Sequence, residues 1–356
     1  MKTNNDDEHG GTIKGDIATG PYWKTWANYF VRYFEEYSKN NITFWGVTMQ
    51  NEPQADQNFQ SLVLNSTQER DFTKLIWGPT LRSNSITKNL KLMVLDHNRD
   101  LIPDFVPTIF GDPDATSLLD GLAVHWYMDT SYGTYGNVAP GILTWAHDNY
   151  LGPKNKFLLY TEACNEGRPA MGLWLHGDKY MNDIINSLNN WAVGWVEWNL
   201  VVDPTGGPNW VNNDVDQSII AFNSSYDGNG ERFEKQPMFY AMGHFSKFIV
   251  PNSTIIDHKL EGTTYADSVL AISAQRPDGL KVVVINNRDL MPHNVSVINK
   301  WGAPLNLMLE PQSWTTIVYN DTVSLGSSGS TSSGTVQRLP SFWGLLGFLS
   351  VLFLSK

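Results

Sequence analysis

The sequence has few cations, a single cysteine and no long apolar segment, and each shortage excludes a class of protein. Lysine and arginine number 25 against 36 aspartate and glutamate residues, so the net charge is −11. Without a basic block, the chain lacks the surface that a nucleic-acid-binding protein needs. The lone Cys164 cannot form an internal disulfide bond. The C-terminal apolar run 341–354 has 14 residues, fewer than the roughly 20 of a transmembrane helix.

What is present indicates a globular protein with more than one domain. The chain has 356 residues, whereas a single hydrophobic core seldom serves more than about 250 to 300. It contains 14 Trp, 14 Tyr and 16 Phe. Most of these rings are expected in the core, but aromatic faces also suit sugar binding.

The C-terminus has the layout of a membrane-anchor signal. A Ser/Gly-rich linker (323–340) precedes a hydrophobic tail (341–356). Small residues at 327–329, an 11-residue spacer and an apolar tail match a glycosylphosphatidylinositol signal. The alternatives are an accidental hydrophobic tail on a flexible linker and a buried terminal helix.

An anchor requires entry into the secretory pathway, yet residues 1–16 contain no apolar signal segment. We therefore expect a longer secreted precursor, lysosomal or at the cell surface. Six Asn-x-Ser/Thr sequons are compatible with a glycoprotein, namely those at Asn41, Asn65, Asn223, Asn252, Asn294 and Asn320.

Residues 1–248 alternate between helical and strand patterns. Pro21–Asn40 has helical spacing of aromatic residues, and Ser66 with Glu69 predicts a capping box before a second helix. Five short apolar runs end in polar residues, and each predicts a strand; they span 43–49, 90–98, 121–129, 156–164 and 193–201. Such alternation indicates a parallel sheet covered on both faces.

Residues 249–322 have a different pattern. Apolar and polar residues alternate there, and Pro277-Asp278-Gly279 predicts a hairpin turn. This segment is expected to form a small antiparallel β domain.

Two carboxylates follow predicted strands in the same way. Glu52 ends "FWGVTMQNEP" and Glu162 ends "FLLYTEAC". At strand carboxyl ends in a barrel the two could face each other, as glycoside hydrolysis by an acid and a nucleophile requires. Alternatively, Glu52 begins a loop and binds neighbouring backbone.

Six motifs in order resemble the glucosylceramidases of glycoside hydrolase family 30: "FWGVTMQNEP", "GLAVHWYMD", "YTEAC", "VGWVEWNL", "PTGGPNWVNN" and "KQPMFYAMGHFSKFI". The similarity runs from about Trp23 to about Tyr319. It implies an α/β fold, namely strands 4–8 of a (β/α)8 TIM barrel, followed by a β-sandwich. The family's first three barrel strands have no counterpart before Pro21, which again favours a longer precursor.

The resemblance implies a role for six residues. Glu52 matches the family's acid/base and Glu162 its nucleophile. Four others match substrate-binding positions: Asn51, Tyr127, Trp198 and Asn213. Tyr127 could instead close a strand end, and Trp198 could be a buried barrel residue.

The implied activity is that of a retaining β-glucosidase that hydrolyses glucosylceramide to glucose and ceramide. It needs no cofactor, and His97 and His125 lack partners at metal-ligand spacing. The expected partners are glucosylceramide in a lipid surface, anionic lipids and a saposin-type activator, with no nucleic acid. The alternatives are another retaining glycosidase of this family and a catalytically dead truncated isoform.

Overall fold

A computed structural model describes residues 1–130, 137–209, 214–222, 232–262, 268–302 and 304–320. The chain divides into two compact units. Among the described residues, the first unit takes those that fall within Met1–Ala163 and Asn190–Trp198, and the second unit takes the others. The predicted linker and hydrophobic tail lie outside the described residues. No helix in the described ranges is long and apolar enough to cross a membrane.

The helices and strands have the following bounds. The helices are α1 (Pro21–Lys39), α2 (Ser66–Phe72), α3 (Gly78–Ser83), α4 (Ile102–Phe110), α5 (Pro113–Leu118), α6 (Gly141–Ala146), α7 (Trp174–Asn189) and α8 (Pro237–Ser246). The strands are β1 (Gly46–Thr48), β2 (Lys91–Asn98), β3 (Gly121–His125), β4 (Phe157–Glu162), β5 (Asn165–Glu166), β6 (Ala192–Trp195), β7 (Val201–Val202), β8 (Val215–Asp216), β9 (Ile219–Phe222), β10 (Arg232–Lys235), β11 (Thr254–Ile255), β12 (Val269–Gln275), β13 (Lys281–Asn287), β14 (His293–Ile298), β15 (Pro304–Leu309) and β16 (Ser313–Tyr319).

The first unit contains a five-stranded parallel sheet in the order β1-β2-β3-β4-β6. All five predicted strands are therefore confirmed, in the parallel arrangement expected of consecutive barrel strands. Met93, Ala123 and Leu159 form an apolar cluster on three adjacent strands. Because parallel strands all run in one direction, the polar residues that end them meet at one edge of the sheet.

Helices of the first unit pack through aromatic side chains. Helix α1 begins at Pro21, where the missing N–H costs no helical hydrogen bond. Its Trp26 ring stacks on Phe72 of α2, with ring centroids 4.9 Å apart. A π-helical turn, Thr73–Trp77, then joins α2 to α3.

The predicted capping box lies one residue earlier than expected. Asn65, not Ser66, is the N-cap, and its side chain accepts from the Gln68 N–H while the Gln68 side chain accepts from the Asn65 N–H. The pairing of Ser66 with Glu69 is wrong because Glu69 points inward and is fully buried.

The second unit contains the predicted antiparallel β-sandwich. A four-stranded sheet, β11-β12-β13-β16, lies beside the hairpin β14-β15. Inward-facing residues such as Val283, Ile285 and Ile317 form its core, against which the hairpin packs Val295 and Leu307. The predicted turn at 277–279 joins β12 to β13, and Gly279 adopts φ +87°, a conformation that glycine tolerates.

A buried ion pair lies within the first unit. The Arg99 Nε atom lies 2.7 Å from Asp129 Oδ1, and both side chains are at most 1% exposed. The Tyr160 hydroxyl donates to Asp129 Oδ2 at 2.7 Å, and the Arg99 guanidinium also donates to the Val138 carbonyl. The ion pair and these hydrogen bonds together compensate the buried charges of Arg99 and Asp129 for the loss of contact with water.

Replacing Arg99→Met should therefore lower the free energy of unfolding by about 3 to 5 kcal/mol, because it leaves Asp129 buried without its cation. Urea unfolding followed by tryptophan fluorescence measures this change. Arg32→Met is the matched control: Arg32 is 70% exposed and pairs with Glu36 on the surface of α1, so its loss should cost less than about 1 kcal/mol. Equal losses in the two variants would contradict this account.

Candidate active site

Two β-bulges place polar side chains at the carboxyl edge of the parallel sheet. Leu95 pairs with Ala123 and His97 with Val124, so Asp96 is an extra residue in β2. In the same way Thr161 is an extra residue in β4. A bulge changes the direction in which a side chain points. Thr161 Oγ1 consequently donates to Asp96 Oδ1 at 2.6 Å.

The backbone around these residues adopts the left-handed region. Leu95 has φ +74°, Asp96 +50° and Glu52 +46°. Such values are uncommon for residues other than glycine, and they cluster at functional sites. The Glu52 N–H donates to the Asp96 carbonyl at 2.9 Å, so the loop after β1 is bound to the bulge in β2.

His125 lies at the centre of the carboxylates. It is 1% exposed, and its Nδ1 lies 3.4 Å from Glu52 Oε1 while its Nε2 lies 3.1 Å from Asp96 Oδ1. The same Nε2 is 3.8 Å from Glu162 Oε2. The ring therefore contacts three acidic side chains from three separate parts of the chain.

These contacts favour a positively charged His125. Burial is the largest influence and lowers its pKa, but the hydrogen bonds to Asp96 and Glu52 and the nearby negative charges together raise the pKa to about 10. Burial likewise raises the pKa of Asp96, but the His125, Thr161 and Thr48 contacts hold that pKa below its usual value. Both groups are charged at neutral pH.

The two glutamates have different surroundings. Burial raises the pKa of Glu52, but the hydrogen bond and charge of His125, the charge of His97 and a 2.6 Å hydrogen bond from Gln57 Nε2 hold the pKa below its ordinary value. Burial raises the pKa of Glu162, and His125 together with a 2.8 Å hydrogen bond from the Tyr127 hydroxyl opposes that rise only in part. In the substrate-free site the pKa of Glu162 is therefore raised while the pKa of Glu52 is lowered.

The glutamates are close enough for joint chemistry. One carboxylate oxygen of each lies within 4.8 Å of the other, and a His125 nitrogen lies within the same distance of both. These three residues could also be considered as metal ligands, a cluster that the sequence spacing did not reveal. However, a His125 that donates from both nitrogens has no lone pair for a metal ion.

The other predicted substrate-binding residues are placed as follows. Asn51 is exposed and immediately precedes Glu52. Trp198 is 42% exposed, so it is not a buried barrel residue, and its backbone N–H donates to the carbonyl of Ala163, the residue after Glu162. Asn213 lies outside the described residues. The roles of Asn51, Tyr127 and Trp198 stay predictions.

Sequence reasoning missed the residues that support the glutamates. From the sequence, His125 is considered only as a metal ligand, and Asp96 lies within the predicted strand 90–98 without a role of its own. Thr48, Gln57 and Thr161 received no role, although Thr48 donates to Asp96 Oδ2 at 2.6 Å. The available signal was a hydroxyl or carboxylate interrupting the apolar runs "GVTM", "MVLD" and "LLYTE".

Comparison with known families agrees with this architecture. Residues 1–249 match the glycosyl hydrolase family 30 TIM-barrel domain, and residues 252–317 match the family 30 β-sandwich domain. The chain therefore belongs to glycoside hydrolase family 30.

Individual relatives carry glucosylceramidase names. A Caenorhabditis elegans protein named glucosylceramidase 3 is 39% identical over 329 residues, covering 90% of this chain and 59% of that protein. The mouse lysosomal acid glucosylceramidase is 38% identical over an alignment that covers 81% of this chain and 54% of that protein. An endo-1,6-β-D-glucanase of Trichoderma harzianum is 28% identical over an alignment that covers 80% of this chain and 53% of that protein. The chain thus spans less than two thirds of each relative's length.

A solved structure shows the same fold. The crystal structure of SrfJ from Salmonella typhimurium superposes with a TM-score of 0.76 at 24% identity, covering 90% of this chain and 66% of SrfJ. The fold is thus the expected partial TIM barrel followed by a β-sandwich.

Replacing Tyr127→Phe should move the acidic limb of the pH–rate profile to higher pH. The hydroxyl stabilises ionised Glu162, so its removal raises the pKa of Glu162 further, by up to about one unit. The carboxyl group of Glu162 then ionises only at higher pH. The profile of kcat/KM on an aryl β-glucoside measures the shift. The control is Tyr29→Phe, which changes a side chain 66% exposed on α1. If the acidic limb lay at the same pH in both variants, the Tyr127 hydroxyl would not stabilise the ionised Glu162 carboxylate.

Proposed function

We propose that this protein is a retaining β-glycosidase in which Glu162 is the nucleophile and Glu52 the acid/base. The observation that carries the proposal is the approach of the two carboxylates to within 4.8 Å. Retaining enzymes keep their carboxyl groups about 5 to 5.5 Å apart, whereas inverting enzymes need roughly 6.5 to 9.5 Å to admit a water. The family's fold and the location of both residues at one sheet edge support the same conclusion.

In the first step a Glu162 oxygen attacks the anomeric carbon and the bond to the leaving-group oxygen breaks. Glu52 gives its proton to that oxygen, so the aglycone departs as an alcohol and a glycosyl ester of Glu162 is left. In the second step water attacks the same carbon, Glu52 accepts the water proton, and Glu162 is released as a carboxylate. The sugar leaves with its original anomeric configuration.

The proposed substrate is glucosylceramide, which would give glucose and ceramide in sphingolipid breakdown. The names of the 39% and 38% identical relatives support this choice. By the same likeness we propose action at a lipid surface, assisted by anionic lipids and a saposin-type activator, in a lysosomal or extracellular setting. Asn51 and Trp198 would contact the sugar at the mouth of the site.

A second candidate activity is cleavage of β-1,6-glucan, favoured by the 28% identical endo-1,6-β-D-glucanase. A catalytically dead isoform fits the site less well. A protein that had lost activity would have no need of two glutamates and a buried histidine in mutual contact, since buried charges are costly to maintain.

The nucleophile can be identified by labelling the purified protein with a cyclophellitol-type epoxide and mapping the modified peptide. We expect the adduct on Glu162, none in Glu162→Gln, and slower labelling in Glu52→Gln, which retains the nucleophile but lacks the acid. An adduct on Glu52 would reverse the two roles. Absence of any adduct would contradict the retaining mechanism.

The substrate class can be tested with vesicles that contain glucosylceramide and an anionic phospholipid. We expect glucose release from these vesicles to exceed that from soluble β-1,6-gluco-oligosaccharides by at least about tenfold in kcat/KM. Vesicles that contain galactosylceramide are the matched control, because only one hydroxyl configuration differs. Faster cleavage of the oligosaccharides would favour the glucanase activity instead.

A further inference from the structure

Glu69 is a fully buried carboxyl group on α2 that contacts the backbone of the active-site bulge. It is 0% exposed, and its Oε2 accepts a 3.1 Å hydrogen bond from the Leu95 N–H. Leu95 and Asp96 are the two consecutive left-handed residues of β2, at φ +74° and +50°. Because the bulge breaks the regular pairing of β2 with β3 here, the buried Leu95 amide is satisfied by the Glu69 side chain.

The Asp96 side chain depends on this backbone conformation. Its two oxygens bind Thr48, Thr161 and His125 at 2.6, 2.6 and 3.1 Å. A one-residue change in register would turn the carboxylate to the other face of the sheet and would leave His125 without its nearest anion.

We propose that Glu69 is a positioning residue, whose hydrogen bond to the Leu95 amide fixes the bulge that directs Asp96 at His125. The link to catalysis rests on the function proposed above, whereas the link to His125 does not.

The charge state of Glu69 is consistent with this role. Burial, together with the negative charge of Asp96, raises its pKa to about 8, and the Leu95 hydrogen bond opposes that rise. A neutral carboxyl can accept through its carbonyl oxygen without adding another negative charge near Asp96. Glutamine offers the same acceptor and should replace it.

The test is the pKa of His125, followed by NMR of the intact protein with ¹⁵N-labelled histidine and assigned with a His125→Gln sample. Glu69→Leu removes the acceptor and should lower the His125 pKa by about one unit or more. Glu69→Gln should leave the pKa unchanged. Glu69→Asp, which is one methylene too short to reach the amide, should lower it as well and replaces the leucine variant if that one does not fold.

The matched control is Asp120→Leu. Asp120 also accepts from a backbone amide of β2, that of Leu92 at 2.9 Å, but at the opposite end of the strand. This variant should lose thermal stability and keep the His125 pKa. An unchanged His125 pKa in folded Glu69→Leu or Glu69→Asp, or an equal shift in Asp120→Leu, would overturn the proposal.

Epoxide labelling of the same variants separates this inference from the proposed function. If the wild-type protein is labelled, the rate constant of labelling, kinact, should fall at least about tenfold in Glu69→Leu or Glu69→Asp, since small displacements of catalytic groups lower the reaction rate strongly. It should change less than about threefold in Glu69→Gln. If the wild-type protein is not labelled, the retaining mechanism fails, and the NMR result still decides whether Glu69 positions Asp96.

Discussion

The contact between His125 and three carboxylates determines the chemistry of the sheet edge. Asp96, Glu52 and Glu162 are too buried to carry three negative charges without a cation, because each would bear a desolvation penalty of several kcal/mol. A histidine whose pKa is raised to about 10 neutralises one of these charges over the whole neutral range. With this cation in place, the pKa of Glu52 lies below its ordinary value and the pKa of Glu162 above it, so the surroundings of the two glutamates separate their pKa values.

The contact exists only because the parallel strands are irregular. Regular strands would send alternate side chains to opposite faces, but the extra residues Asp96 and Thr161 shift the later part of each strand by one position. Three left-handed residues, Leu95, Asp96 and Glu52, hold the shifted backbone. Their strain, of order 1 to 3 kcal/mol each, is offset by hydrogen bonds that converge on Asp96.

The architecture could be predicted from sequence further than the site could. Apolar runs are local signals, so all five strands of the parallel sheet were predicted, and the motifs led to Glu52 and Glu162. The bulges were not predicted, because no local pattern in "KLMVLDHN" shows that one residue will be left unpaired. Nor does the local sequence show that His125 and Glu69 are buried, because the burial of each depends on neighbours distant in sequence. From the sequence alone, His125 is therefore considered only as a metal ligand and Glu69 is placed in a capping box.

The charge of Glu162 affects the pKa of Glu52, and it would change between the substrate-free site and the steps of the proposed reaction. In the substrate-free site Glu52 has the lowered pKa and Glu162 the raised one, whereas the first step needs a protonated Glu52. In the proposed cycle a bound substrate would supply the difference. Its glycosidic oxygen would compete with Gln57, which donates to Glu52 in the substrate-free site, and an ionised Glu162 beside it would favour the proton on Glu52. Once Glu162 had become an ester in that cycle, its negative charge would be lost, the pKa of Glu52 would fall, and Glu52 would be ready to act as a base.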